Sequence, residues 1–467
     1  MHRAAIPLLC VLLLGASQPA GPDWKAVEAE TLKHFQSLIT FDTSDPPGNE
    51  QPAADYLKQV LEAAGIPVEV VSLEPNRPNV IARLKGGGAK RPLLIMGHTD
   101  VVNVDPKKWM HPPFSAARDS GYVYGRGTVD DKDNVTAGLM IMLMLKRQNV
   151  PLDRDVIFLA EAGEEGSTRV GIQFVVNQHF AKVDSEFCLA EGGGVSRQGG
   201  KVKFASVQTL EKIPRGIVLT ARGPAGHGSV PLRGNAVVHL ANAVAKVAAW
   251  KPPVRFNDTT RAYFKRLASI STPEEAKRYL DVISGDAKLS DAADEHFLQQ
   301  EPRHASMLRT SISPNIIQGG YRINVIPSDA TATLDVRVHP DDDHVKFLEE
   351  VKKVIADPAV EVQWAQRDVR PVGTKTDLQS DAFKTIEAMV TKHYSTVTLP
   401  SMATGATDMA YLRAKGIQCY GIGPATDIED GPKGFGAHSD QERLLEAELH
   451  RFVRFHYDIV EALAKRK

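Results

Sequence analysis

Cysteine is nearly absent. The 467 residues hold 3, at positions 10, 188 and 419, and no Cys-x-x-Cys pair. A thiolate zinc site is therefore excluded, and a chain of this size needs no disulfide framework. Cys188 and Cys419 each lie inside an apolar segment and read as buried free thiols. A surplus of either charge is also missing: 56 Lys and Arg face 57 Asp and Glu, for a formal net charge of -1. Binding a phosphate backbone needs a basic excess, so no nucleic-acid partner is expected. Beyond the N-terminus no apolar run reaches the ~18–20 residues that a membrane span needs. There is no Gly-x-Ser-x-Gly, which removes the serine-hydrolase elbow, and there is no internal repeat or low-complexity stretch.

What is present begins with a leader. His2 and Arg3 precede an apolar run from Ala4 to Leu14, and small residues follow at Gly15, Ala16, Ser17 and Ala20. This reads as a signal peptide over 1–20, with export to the periplasm or medium; the alternative is a buried first helix. Cys10 would leave with the leader, and the Pro7-Leu8-Leu9 before it lacks the small residue expected ahead of a lipidated cysteine.

The rest divides by texture. Helix-like segments (Trp24 to Leu38, Glu50 to Ala64, Val135 to Lys146, Val170 to Asn177) alternate with strand-like runs at 68–73, 79–84, 92–96, 155–160 and 186–190. That alternation predicts an α/β layer with a mainly parallel sheet. From Lys212 the order becomes strand (215–222), helix (234–249), a polar helical insert (256–309), strands at Tyr321 to Val325 and Ala330 to Val338, helix (343–356) and strand (360–364). This is a smaller α+β unit. After Thr374 the α/β texture returns, with a helix over 381–393, strands at 396–399 and 419–421, and a terminal helix from Glu442. The expected plan is one catalytic domain (21–211 and 372–467) interrupted by a second domain over 212–371.

Five patches of histidine and carboxylate fall at strand ends or in the loops after them, where open α/β sheets place ligand sites. They are Gly97-His98-Thr99-Asp100, Gly125-Arg126-Gly127-Thr128-Val129-Asp130-Asp131-Lys132, Glu161-Ala162-Gly163-Glu164-Glu165-Gly166-Ser167, Leu189-Ala190-Glu191-Gly192, and Gly436-Ala437-His438-Ser439-Asp440. Each has a bland reading taken alone: a satisfied polar pair for His98 and Asp100, a solvated turn for Asp130 and Asp131. Together they supply the mixed nitrogen and oxygen donors that suit Zn²⁺, and enough of them for two ions sharing one carboxylate.

In order and content these motifs resemble the M20 family of metallopeptidases, from about Trp24 to the C-terminus. The resemblance implies two zinc ions per chain, with Co²⁺ or Mn²⁺ as substitutes. His98, Asp130 and Glu191 would hold one; Asp130, Glu165 and His438 the other. It implies that Asp100 orients His98, that Glu164 is the general base and acid, and that the Asp130–Asp131 peptide is cis. It makes the 212–371 domain a lid, which is also the dimerisation domain in many members. There His227, in Gly226-His227-Gly228, would reach the reacting amide, in its own chain or a neighbour's, and Asn324 and Arg337, on neighbouring strands, would bind substrate together with the Gly405-Ala406-Thr407-Asp408 loop. The competing readings are a turn residue for His227 and an ordinary surface strand carrying an Asp335–Arg337 pair. The segment 256–309 resembles the longer-lid branch that contains carboxypeptidase S and the secreted N-fatty-acyl amino acid synthase/hydrolase, which weakens the expectation of the family's lid-to-lid homodimer.

The expected activity is hydrolysis of an amide or peptide bond beside a free carboxylate, as in a dipeptidase or carboxypeptidase. The alternative substrate class is N-acyl amino acids. A non-catalytic binding protein on the same fold would have lost a ligand or Glu164, and neither is lost.

Overall fold

Two runs of six residues, Leu93–His98 and Val156–Glu161, are buried along their whole length and pair in parallel at the centre of a large sheet. The computed structural model describes residues 21–366, 370–373 and 375–466; the leader and Cys10 lie outside the described residues. Along Leu93–His98, Leu93 and Ile95 face one core while Leu94 and Met96 face another, as period-2 alternation requires of a strand covered on both sides.

Parallel pairing continues from Leu93–His98 to Phe187–Ala190 and on to Gln418–Gly421. The flanks reverse. Pro78–Leu84 runs antiparallel to both Val156–Glu161 and Val68–Ser72, and Lys201–Glu211 antiparallel to Gln418–Gly421 and Gly194–Gln198. The ten-stranded sheet is therefore mixed, with the expected parallel order at its centre. Short links impose two of these reversals, Val68–Ser72 to Pro78–Leu84 and Gly194–Gln198 to Lys201–Glu211. Gly199 and Gly200, with φ of +55° and +74°, make a two-residue turn that only glycine enters without strain.

Helices Gln51–Ala63, Lys132–Arg147, Asp381–Tyr394 and Glu446–Ala464 cover one face. Ile172–Gln178 and Met409–Ala414 cover the other. Lys132–Arg147 is buried on every side from Lys132 to Leu145, and Gly138 lets it lie against Phe158, where a Cβ would come within 2.5 Å of the ring.

The excursion from Ile213 onward builds a separate antiparallel sheet in the order Ser311–Gly319, Asp329–Val338, Ile213–Arg222, Val360–Trp364. Helices Ala236–Ala249 and His344–Ile355 share its core. Asp329–Val338 alternates as expected, with Ala330, Ala332, Leu334, Val336 and Val338 inward. Its neighbour is not Tyr321 to Val325, which is mostly turn, but Ser311–Gly319. A bulge between Pro314 and Ile316 breaks the period there, and proline is tolerated because this is an edge strand.

The helical insert forms Asp258–Ala268, Pro273–Val282, Ala287–Gln300 and Pro302–Met307. Phe264 stacks on Phe297 with ring centroids 5.5 Å apart. Their cluster includes Leu210, Leu399 and Met402, so the insert packs on the Thr398–Ala403 edge of the large sheet.

Candidate metal centre and catalytic residues

The site gathers at the carboxyl ends of the central parallel strands. His98 ends Leu93–His98, Glu191 directly follows Phe187–Ala190, and Glu164 and Glu165 lie in the loop after Val156–Glu161. Asp130 comes from the loop ahead of the buried helix, and His438 from a turn in which its φ is +60°. The Asp130–Asp131 peptide is cis, as the resemblance implies.

Asp130 is the centre. Its Oδ1 lies 3.0 Å from His98 Nε2 and its Oδ2 3.1 Å from His438 Nε2. His438 Nε2 is also 2.7 Å from Glu165 Oε1. Donor atoms of His98, Asp130 and Glu191 lie within 4.8 Å of one another, and so do those of Asp130, Glu165 and His438. All five expected ligands thus converge, in two triads sharing Asp130.

Asp100 is fully buried and has two tasks. It lies 3.5 Å from His98 Nδ1, and it accepts the backbone N–H of Glu164 at 3.1 Å and of Glu165 at 2.9 Å. Burial would raise its pKa, but His98 and these donors hold it below the ordinary value.

The electrostatics describe crowded acids. Burial, then the charge of Asp130, pushes the Glu191 carboxyl well up. Burial acts on Asp130 too, yet the two imidazoles keep it well below the usual carboxylate range. Hydrogen bonds to Asp130 and Glu165 raise His438 to about 10. Buried carboxylates in contact are costly unless a cation joins them. Each triad offers one imidazole and two carboxylates, so the residues present fit two divalent ions.

Glu164 lies beside this cluster with its side chain 10% exposed. Arg370 Nη2 donates to its Oε1 at 2.8 Å, and Arg370 Nη1 lies 3.1 Å from Asp408 Oδ1. Burial raises the Glu164 pKa, and the arginine opposes the rise.

The candidate residues of the smaller domain sit elsewhere. His227, exposed on the short strand Gly226–His227, pairs across to Val325–Ile326 and bonds Ser229 Oγ through Nδ1 at 2.7 Å. Asn324 is its neighbour: it occupies the turn before Val325, and its carbonyl accepts Gly228 N–H at 2.9 Å. The expectation that Asn324 and Arg337 lie on adjacent strands is therefore corrected, because Asn324 is not on a strand. Arg337 does point outward, 35% exposed, and pairs with Asp335 at 3.1 Å. Gly405 is exposed in the loop between Thr398–Ala403 and Met409–Ala414. Among the described residues, no hydrogen bond joins His227, Asn324, Arg337 or Gly405 to the five clustered side chains.

Three supports escaped the motif reading. Glu442 is fully buried, takes Arg126 Nη1 at 2.6 Å, and accepts the N–H groups of Val129 at 2.8 Å and Asp130 at 3.2 Å, which fixes the Asp130 loop. Arg77 joins Asp45 and Glu50 beneath the Glu164 loop, each at 2.6 Å. Arg370 is the third. Glu442 had one signal, an acid four residues beyond His438; Arg77 and Arg370 had none.

Residues 94–462 match Peptidase family M20/M25/M40. The chain belongs to this family. It is a hydrolase of the metallopeptidase and amidohydrolase type. It is 27% identical over 381 residues to N-fatty-acyl-amino acid synthase/hydrolase PM20D1 of Homo sapiens, covering 79% of this chain and 74% of that one. It is 26% identical to human aminoacylase-1 over 444 residues, covering 94% and 96%. Among solved structures, an M20 family metallo-carboxypeptidase from Sulfolobus solfataricus superposes with a TM-score of 0.68 at 20% identity, over 92% of this chain and 98% of that one. Human carnosine dipeptidase 1 gives 0.64 at 14%, over 93% and 97%. At these identities the structural likeness speaks for the fold. No described helix is long and apolar enough to cross a membrane.

Proposed function

We propose that this M20 enzyme is an exported two-zinc hydrolase that cleaves an amide or peptide bond next to a free carboxylate, as a dipeptidase or carboxypeptidase does. The observation that carries the reading is Asp130, shared between two nitrogen-and-oxygen triads with Glu164 alongside. Two divalent cations bound there would supply Lewis acidity and lower the pKa of a water in the site. The chain's own residues do the rest. A carboxylate oxygen of Glu164 takes the water's proton and later delivers it to the leaving nitrogen. Asp100 holds the loop that carries Glu164 and Glu165. His227, moved toward the site with the lid, donates to the developing oxyanion. Arg337, Asn324 and the Gly405 loop favour substrates with a carboxylate, which an arginine grips through two parallel hydrogen bonds. Export rests on the leader-like residues 1–20.

A second reading, N-acyl-amino-acid amidohydrolase, is favoured by the likeness to the N-fatty-acyl-amino acid synthase/hydrolase and aminoacylase-1. Turnover of a panel of dipeptides against N-acetyl and N-oleoyl amino acids, after chelation and zinc add-back, separates the two. Dipeptide turnover alone supports the first reading, and acyl turnover alone supports the second. No turnover of either class after metal return contradicts both.

A further inference from the structure

Arg370 belongs to no motif of the sequence, yet its head group touches the proposed proton carrier. In the chain it comes after Val360–Trp364, the lid's last strand, and before helix Asp381–Tyr394 of the large domain. It thus lies on the lid's return path. Lys212, on the outgoing path, faces the same narrow pocket, which Glu211, Pro340, Pro371 and Arg413 also line. From there the Arg370 side chain reaches inward, so that one nitrogen lies on Glu164 Oε1 at 2.8 Å and the other 3.1 Å from Asp408 Oδ1.

Asp408 is buried at 1% exposure, and among the described residues neither of its carboxylate oxygens has a hydrogen-bond partner; the ion pair with Arg370 is what faces it. A buried carboxylate holds the cation it is ion-paired with in place, because separating them would leave the buried charge poorly compensated. Asp408 therefore acts as the anchor, and the planar guanidinium carries its position across to Glu164. A fork of fixed geometry does this better than a flexible ammonium. Asp100 fixes the backbone of the Glu164 loop; among the described residues, the one side-chain hydrogen bond to the Glu164 carboxylate comes from Arg370.

We propose that Arg370 is a positioning residue for the proton carrier: anchored on Asp408, it holds Glu164 by Oε1 and leaves Oε2 for the proton. The lid's return segment thereby contributes to catalysis through the large domain's own base. This rests on the assignment of Glu164 made above.

The test is a double-mutant cycle on the zinc-loaded full chain, with Arg370→Gln, Arg370→Lys, Asp408→Asn and Glu164→Gln, each checked for metal content and melting temperature. Arg370→Gln should lower kcat ~10²-fold, the scale of misplacing a catalytic group by about 1 Å, with KM held within about 3-fold. Arg370→Lys should recover part of the loss, and Asp408→Asn should lower the same parameter. In the Glu164→Gln background, Arg370→Gln should cost less than about 3-fold more, because groups acting as a unit are not additive. Independent, multiplied losses would overturn the proposal, and so would a raised KM with kcat unchanged, which would make Arg370 a substrate contact. Full turnover in Glu164→Gln alone would overturn the base assignment itself, and is recognisable before Arg370 is altered. If Arg370→Gln does not fold, Arg370→Lys and Asp408→Asn decide by the same criteria.

Discussion

Asp100 accepts the backbone N–H of Glu165 at 2.9 Å, so the residue that steadies one candidate metal ligand, His98, also holds the loop of another. Asp100→Asn would turn an amide toward an N–H donor and lose at least one of these bonds. Second partners of this kind are worth about 10–100-fold in metal affinity or activity. The expected outcome is weaker zinc binding by calorimetry together with a lower kcat; unchanged affinity would leave Asp100 without its assigned task.

The buried Arg126–Glu442 pair, at 2.6 Å, ties the Asp130 loop to the segment ahead of the terminal helix. Glu442→Ala leaves a buried guanidinium unpaired and two backbone donors unsatisfied. Breaking such a pair should cost ~3–5 kcal/mol in urea unfolding of the metal-free protein. The double change Arg126→Met with Glu442→Leu should recover much of the loss.

Legibility followed how local each signal was. Asp329–Val338 was readable because strict alternation survives in it, and the five clustered candidate ligands because each sits in its own short motif. Ser311–Gly319 was hidden by its bulge, which shifts the period in mid-strand. The insert's helices announced an apolar face, but nothing local in Phe264 or Phe297 says that Leu399 and Met402 of the large sheet complete their core. Arg77, Arg370 and Glu442 are single charged residues, and only the folded chain brings each to its partner.

Acid should destabilise the protein through His456. It is fully buried against Phe452, with neither ring nitrogen hydrogen-bonded among the described residues, and burial pushes its pKa down to about 3. Unfolded, it would titrate near 6.5. Its contribution is therefore complete above pH 6.5 and is lost as pH falls toward 3, by ~1.4 kcal/mol per pH unit. In metal-free protein, His456→Phe should flatten the stability profile between pH 6.5 and 4.5 by about 2 kcal/mol relative to wild type. Parallel profiles would contradict this.

Arg337 tests the substrate side of the proposal. Its partner Asp335 is two residues away on the same face, which leaves the guanidinium able to exchange that contact for a ligand. Arg337→Ala should raise KM ~10–100-fold for substrates with a free carboxylate and little for their amides. Equal losses for acid and amide would show that Arg337 does not read the carboxylate.

The central claim is that two ions share Asp130. Anomalous diffraction from zinc-loaded crystals tests it most directly. The account predicts two peaks ~3.5–4 Å apart, one beside His98 and Glu191 and the other beside Glu165 and His438, with Asp130 between them. A single peak, or two that do not both contact Asp130, would contradict it.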